Sequence, residues 1–170
     1  MLTATNLTYG PQRSALLAEA ISFSVAPGEV LQVTGENGVG KSFLLKTVLG
    51  LSPPIAGTIK SQFSSTRYLP QMQNRAAHLP YSLGELLLGG DGAGLLSANR
   101  LSLAWNQASG GERQRTLLAR FFSQEGNLLV LDEPFNHLDS PARELVRAKL
   151  RATLENKHLA ALIVSHGDQV

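Results

Sequence analysis

The 170-residue sequence contains no cysteine. Disulfide frameworks, thiolate metal sites and cysteine nucleophiles are therefore excluded. Charge is also scarce: Asp, Glu, Lys and Arg make up 16% of the residues, where about 25% is typical. Because 43% of the chain is hydrophobic, disordered and polyelectrolyte classes are out. The formal net charge of +2 is small, and the pI near 9.2 reflects how few groups titrate between His and Lys, not a surface built for nucleic acid. The longest aliphatic run, Leu159 to Val164, has six residues, far short of the roughly 18 that span a bilayer. Met1 to Ala4 lacks the basic start of a signal peptide. What remains is a globular chain of single-domain size, able to bury roughly 70% of its unfolded surface. It is expected to be soluble and to stay where it is made.

Hydrophobic periodicity then orders the elements. Leu2 to Leu7 and Ala20 to Val25 alternate apolar with polar residues and read as strands, the second ending at a Pro27-Gly28 turn. Val30 to Thr34 is a β-prone run that breaks into a Gly-rich loop, after which Phe43, Leu44, Leu45, Val48 and Leu49 recur at helical spacing up to Gly50. Beyond Pro53-Pro54, short strands are expected around Thr58–Lys60 and Arg67–Leu69. Helices are expected at Leu83–Leu88 and Leu95–Trp105, separated by Gly89-Gly90-Asp91-Gly92, and again at Gly111–Phe122. Leu128–Leu131 reads as a buried strand, Ser140 as an N-cap with Pro141 at the first helical position, and Leu159–Val164 as a last strand. Strands alternating with helices imply an α/β fold: a mainly parallel sheet covered on both faces, preceded by an antiparallel strand pair.

Gly35-Glu36-Asn37-Gly38-Val39-Gly40-Lys41-Ser42 matches G-x-x-x-x-G-K-[ST] throughout and lies between a strand and a helix, the context that this phosphate-binding loop requires. Glycines let the backbone close on phosphate oxygens, so that successive N–H groups and a helix N-terminus face negative charge. Lys41 is assigned to the β- and γ-phosphates and Ser42 to Mg²⁺, with Phe43 beside them in the first helical turn. Asp132 and Glu133 follow directly on the apolar run Leu128 to Leu131, and ligand sites of parallel sheets lie at such strand ends. Asp132 is assigned to Mg²⁺ and Glu133 to activation of the attacking water as general base.

Ala108-Ser109-Gly110-Gly111-Glu112-Arg113-Gln114-Arg115 resembles the signature motif of ABC-type ATPases, L-S-G-G-[QE]-x-Q-R, with only the leading Leu replaced. Ser109, Gly110 and Gly111 open a helix and offer a hydroxyl and amides to a second anion site. One triphosphate does not need two such sites from one molecule. The resemblance implies that the signature of one subunit, with Glu112, closes over the nucleotide on the phosphate loop of another, giving a head-to-tail dimer around two ATP molecules. It also assigns Tyr9 to adenine stacking and Gln71 to the Q-loop that senses Mg²⁺ and water. Asp139, in Asn136-His137-Leu138-Asp139, falls in the D-loop that meets the other subunit, and His166 is the switch histidine. Departures from the family pattern are Ala108, Phe135 where Thr is common, and Gly167 between His166 and the usual acidic residue.

The resemblance runs from Tyr9 to His166 and implies one domain: a phosphate-loop ATPase core of 1–75 and 112–170 and a small helical subdomain of about 76–111. The short interval from Gln71 to Ser109 and the few residues after His166 lead to the expectation of no C-terminal regulatory extension. The leading function is the ATPase subunit of a membrane transporter, on the cytoplasmic face of separate membrane-spanning subunits contacted through about 71–105. The alternatives are a non-transport ATPase of the ribosome-associated branch, which Asn136-His137-Leu138-Asp139 resembles, and an iron–sulfur assembly ATPase. Leu79 to Leu86 faintly resembles metal-uptake ATPases. Arg143, Arg147 and Arg151, interleaved with Glu144 and Glu155, read as a solvated helix face, with no direct nucleic-acid contact expected. From Ala76 to Gly111 only Glu85, Asp91 and Arg100 are charged, a depletion that suits a partner surface or tight packing of small helices.

Overall fold

The computed structural model describes residues 1–11, 19–36, 38–72, 80–88 and 92–166. Two sheets carry the molecule. Strands β1 (Leu2–Thr8), β2 (Ile21–Val25) and β4 (Ala56–Ser61) form an antiparallel sheet in the order β2-β1-β4. The expected antiparallel pair thus gains a third strand. Strands β3 (Val30–Val33), β5 (Thr66–Leu69), β6 (Leu128–Asp132) and β7 (Ala160–Val164) form a parallel sheet in the order β3-β7-β6-β5. The α-helices among the described residues are α1 (Lys41–Val48), α2 (Leu83–Leu86), α3 (Gly110–Ser123) and α4 (Ser140–Leu154).

β6 and β7 are buried at every position, as unbroken apolar runs in the middle of a parallel sheet must be. The pleat sends alternate side chains of β6 into two different cores. Leu129 and Leu131 join Leu118, Phe121, Val146 and Leu150 from α3 and α4. Leu128 and Val130 join Leu45 of α1 and Leu2 and Val25 of the antiparallel sheet. Each fully buried leucine contributes about 1.5–3 kcal/mol, so this central strand is firmly held. Its C-terminal end carries Asp132 and Glu133.

Three sequence expectations are corrected. Asp139, not Ser140, is the N-cap of α4: its carboxylate accepts the Ala142 N–H at 2.9 Å, and Pro141 follows inside the first turn. Leu95–Trp105 is no α-helix. It folds as 3-10 turns at Ala98–Arg100 and, beyond, Trp105–Gln107. The Ser97 hydroxyl donates to Asn99 Oδ1, a local bond that competes with helix, and the carbonyls of Leu101 and Leu103 accept from the N–H groups of Gly84 and Leu83. The helix expected over Leu83–Leu88 is likewise a single turn, ending before Leu88, which takes φ +52°. No helix among the described residues is long and apolar enough to cross a membrane.

Candidate active site

The loop after β3 turns into α1 through Gly40, whose φ of +97° gives α1 a left-handed N-cap that carries no side chain. The first amides of a helix have no intrahelical partner, and the first turn of α1 holds no acidic residue. An anion therefore meets N–H groups and a positive helix end without competition. Gly38, at φ +85°, lies in open space, so there the requirement is backbone conformation, not room. Asn37 lies outside the described residues.

A cleft of about 290 Å³ is lined by Gly38, Gly40, Lys41, Ser42, Phe43, Gln71 and Glu133. Residues from three separate stretches assigned to one site on sequence thus share one cavity. Lys41 is buried, and its Nζ donates to Gly35 O at 2.6 Å and Glu36 O at 2.9 Å. The same ammonium lies 3.4 Å from His166 Nε2. His166 Nε2 is also 3.0 Å from Glu133 Oε1, close enough for charge attraction but not aligned as a hydrogen bond. The Gln32 amide steadies this strand end by donating to the Ser165 hydroxyl at 2.6 Å.

Glu133 leaves the strand with φ +52°, a conformation that costs a non-glycine residue about 1–3 kcal/mol and is held by its own N–H bonded to Val164 O. Burial pushes the Glu133 carboxyl up, opposed mainly by His166 and Lys41. Burial likewise raises Asp132, opposed first by the Ser42 hydroxyl and then by Lys46 and Lys41. Asp132 Oδ1 and Glu133 Oε1 are buried with no hydrogen-bond partner. Unpaired carboxylate oxygens in such a place are expensive; Glu133 lines the phosphate cleft, and Asp132 precedes it at the end of β6. Tyr68 nearby is pushed up to about 12 by burial and by Asp132, so its hydroxyl stays protonated.

The signature residues form a second, separate structure. Ser109 N-caps α3 in a capping box: its hydroxyl accepts the Glu112 N–H, and Glu112 Oε2 accepts from the Ser109 N–H and hydroxyl, both at 2.8 Å. Gly110 and Gly111 pack under the D-loop. A Cβ at Gly111 would lie 2.9 Å from His137 O, and one at Gly110 would lie 3.4 Å from His137 Nδ1. None of Ser109, Gly110, Gly111 and Glu112 lines the phosphate cleft.

Other assigned residues do not line that cleft. Tyr9 is 5% exposed and packs with Leu7 and Leu44, so its ring presents no open face to a base. Val39 is exposed, and Asp139 caps α4. Gly167 lies outside the described residues, as do 73–79 and 89–91 of the expected partner segment. Arg143, Arg147 and Arg151 are no free basic stripe: Arg143 Nε donates to Leu138 O, and Arg147 stacks over Phe135 and lies 3.5 Å from Glu144. Gln114, given no role on sequence, is buried on α3 and donates to Pro134 O at 2.9 Å, tying the signature helix to the residue after Glu133. Only its place within the motif marked it.

Residues 18–136 match the ABC transporter family. The chain belongs to that family. It is an ABC ATPase, the component that binds and hydrolyses ATP. An ABC transporter ATP-binding protein of Haemophilus influenzae is 30% identical over 99% of this chain and 75% of its own length. The zinc import ATP-binding protein of Yersinia pestis is 33% identical over 97% of this chain and 68% of its own. Among solved structures, a metal-chelate type ABC transporter in an inward-facing conformation superposes with a TM-score of 0.78 at 27% identity, over 97% of this ABC ATPase and 73% of that chain.

Proposed function

We propose that this ABC ATPase powers a membrane transporter by closing head-to-tail on a second copy, or on a related ATPase subunit, with ATP held between the phosphate cleft of one subunit and the signature of the other. The observation that carries this is the split between the two halves. His166 Nε2 lies 3.4 Å from Lys41 Nζ and 3.0 Å from Glu133 Oε1, whereas the signature residues lie outside the cleft that Lys41 and Glu133 line. Bound triphosphate would take Lys41 from the carbonyls of Gly35 and Glu36, and the free N–H groups of α1 would receive the phosphate oxygens. Glu133, its carboxyl raised by burial, serves as base to the attacking water, and His166 holds that carboxylate beside the γ-phosphate.

Mg²⁺ fits the oxygens present: the buried, unpartnered Oδ1 of Asp132 and the Ser42 hydroxyl beside it are hard donors, with Gln71 on the same cleft. When bound it would neutralise charge on the phosphates. Tyr9, as described, would have to leave its apolar cluster to stack on adenine.

The transport reading rests on relatives named for ABC transport, one of them for zinc import, so a metal ion is the proposed cargo class. Neither of these relatives is named for a non-transport role. The membrane-spanning partner would meet about 71–105, a stretch that overlaps the charge-poor helical subdomain of about 76–111, at the cytoplasmic face. Glu133→Gln with Mg²⁺ and ATP is expected to give a stable dimer by light scattering; monomer at saturating ATP would contradict the mechanism. Recovery with detergent-solubilised membranes is expected, and recovery with ribosomes instead would overturn the transport reading.

A further inference from the structure

Glu112 presents a problem to the signature that carries it. Its carboxylate belongs to the capping box that starts α3 and is held below the usual range by the Ser109 N–H, then the Ser109 hydroxyl, with Arg100 adding to both. It is therefore ionised at neutral pH and sits beside the Gly110 and Gly111 amides that are to receive a phosphate. A fixed negative charge at that point repels the γ-phosphate, and the Ser109 hydroxyl proton is already committed to Glu112.

One cation answers it. Arg100 Nε lies 2.7 Å from Glu112 Oε1. The neighbouring arginines are turned elsewhere: Arg113 donates to Trp105 O and Asn106 O and lies over the Trp105 ring, and Arg115 donates to Gly111 O. Arg100 is also the only Lys or Arg between Ala76 and Gly111. Its position is fixed by the 3-10 turn that it ends and by the Leu101 and Leu103 carbonyls bonded to the first amides of α2. Its side chain keeps 52% exposure, so part of the guanidinium faces outward from the signature.

We propose that Arg100 is a positioning residue for ATP-driven closure: it neutralises Glu112 so that the signature amides can accept the γ-phosphate of the nucleotide on the other subunit. This rests on the head-to-tail reading. The test titrates ATP against dimer mass in the Glu133→Gln protein. Adding Arg100→Ala should raise the ATP concentration for half-maximal dimer about fivefold, while Arg100→Lys should recover most of the loss. Adding Glu112→Gln to Arg100→Ala should restore closure to near the parent, because Gln keeps the capping box without the charge.

A purely structural role would lower the melting temperature of Arg100→Ala and would not be repaired by Glu112→Gln. Closure unchanged in Arg100→Ala, or a loss that Glu112→Gln leaves in place, overturns the proposal while the head-to-tail reading stands. A Glu133→Gln parent that never dimerises overturns both.

Discussion

The parallel strands β6 and β7 and the segment from Leu83 to Ala108 are both rich in leucine and alanine, yet they fold in opposite ways. β6 and β7 lie buried at every position between two cores and end at Asp132 and at Ser165-His166. Its described residues hold one helical turn and three 3-10 turns, with a bridge from Ala104 back to Ser82, and Leu88 is 74% exposed. Strand ends deep in a sheet hold reacting carboxylates to within fractions of an ångström, which catalysis demands. A segment of short turns instead leaves Leu88 exposed and holds one charge, Arg100, at the signature. The comparison separates chemistry from coupling.

The largest expected effect falls on the rigid half. Glu133→Gln should lower steady-state ATP hydrolysis by about 10²–10⁴-fold, read as phosphate release, and a near-wild-type rate would remove Glu133 from the base role. Next comes packing. Leu131→Ala, fully buried, should cost about 2–5 kcal/mol in denaturant unfolding, whereas Leu88→Ala should stay within about 0.5 kcal/mol. Equal costs would erase the contrast between the two regions.

The smallest effect is in pH dependence. Burial raises the Asp132 carboxyl, so the folded protein holds that proton more tightly than the unfolded chain. Stability is therefore lost as pH climbs from the ordinary carboxylate range through the raised value. Asp132→Asn should melt higher than wild type at neutral pH, with the gain vanishing below about pH 4. A gain that persists there would assign it to something other than the buried charge.

Much of this was legible in the residues. Gly40-Lys41-Ser42 between a β-prone run and a helical period, and Asp132-Glu133 after four apolar residues, fix local geometry by short-range rules, and the structure brings Lys41, Ser42 and Glu133 to one cleft. Tyr9 was not legible, because an aromatic at a strand end suits both a base and a core, and only packing against Leu44 decides where its ring lies. The Leu95–Trp105 segment misled because its leucines mimic a helical period while Ser97, Asn99 and the distant amides of α2 take the bonds that a helix would need. Arg100 with Glu112, and Gln114 with Pro134, are tertiary pairs that no local pattern announces.

The central claim is that each ATP is cleaved between the phosphate loop of one subunit and the signature of another. Two variants, each expected to be inactive alone, test it together: Lys41→Ala, which spoils the phosphate loop, and Ser109→Arg, which blocks the signature at an exposed position. Mixed in equal amounts they should recover about a quarter of the wild-type hydrolysis rate, the share of intact composite sites that random head-to-tail pairing leaves. A mixture as inactive as its two folded components would contradict the account.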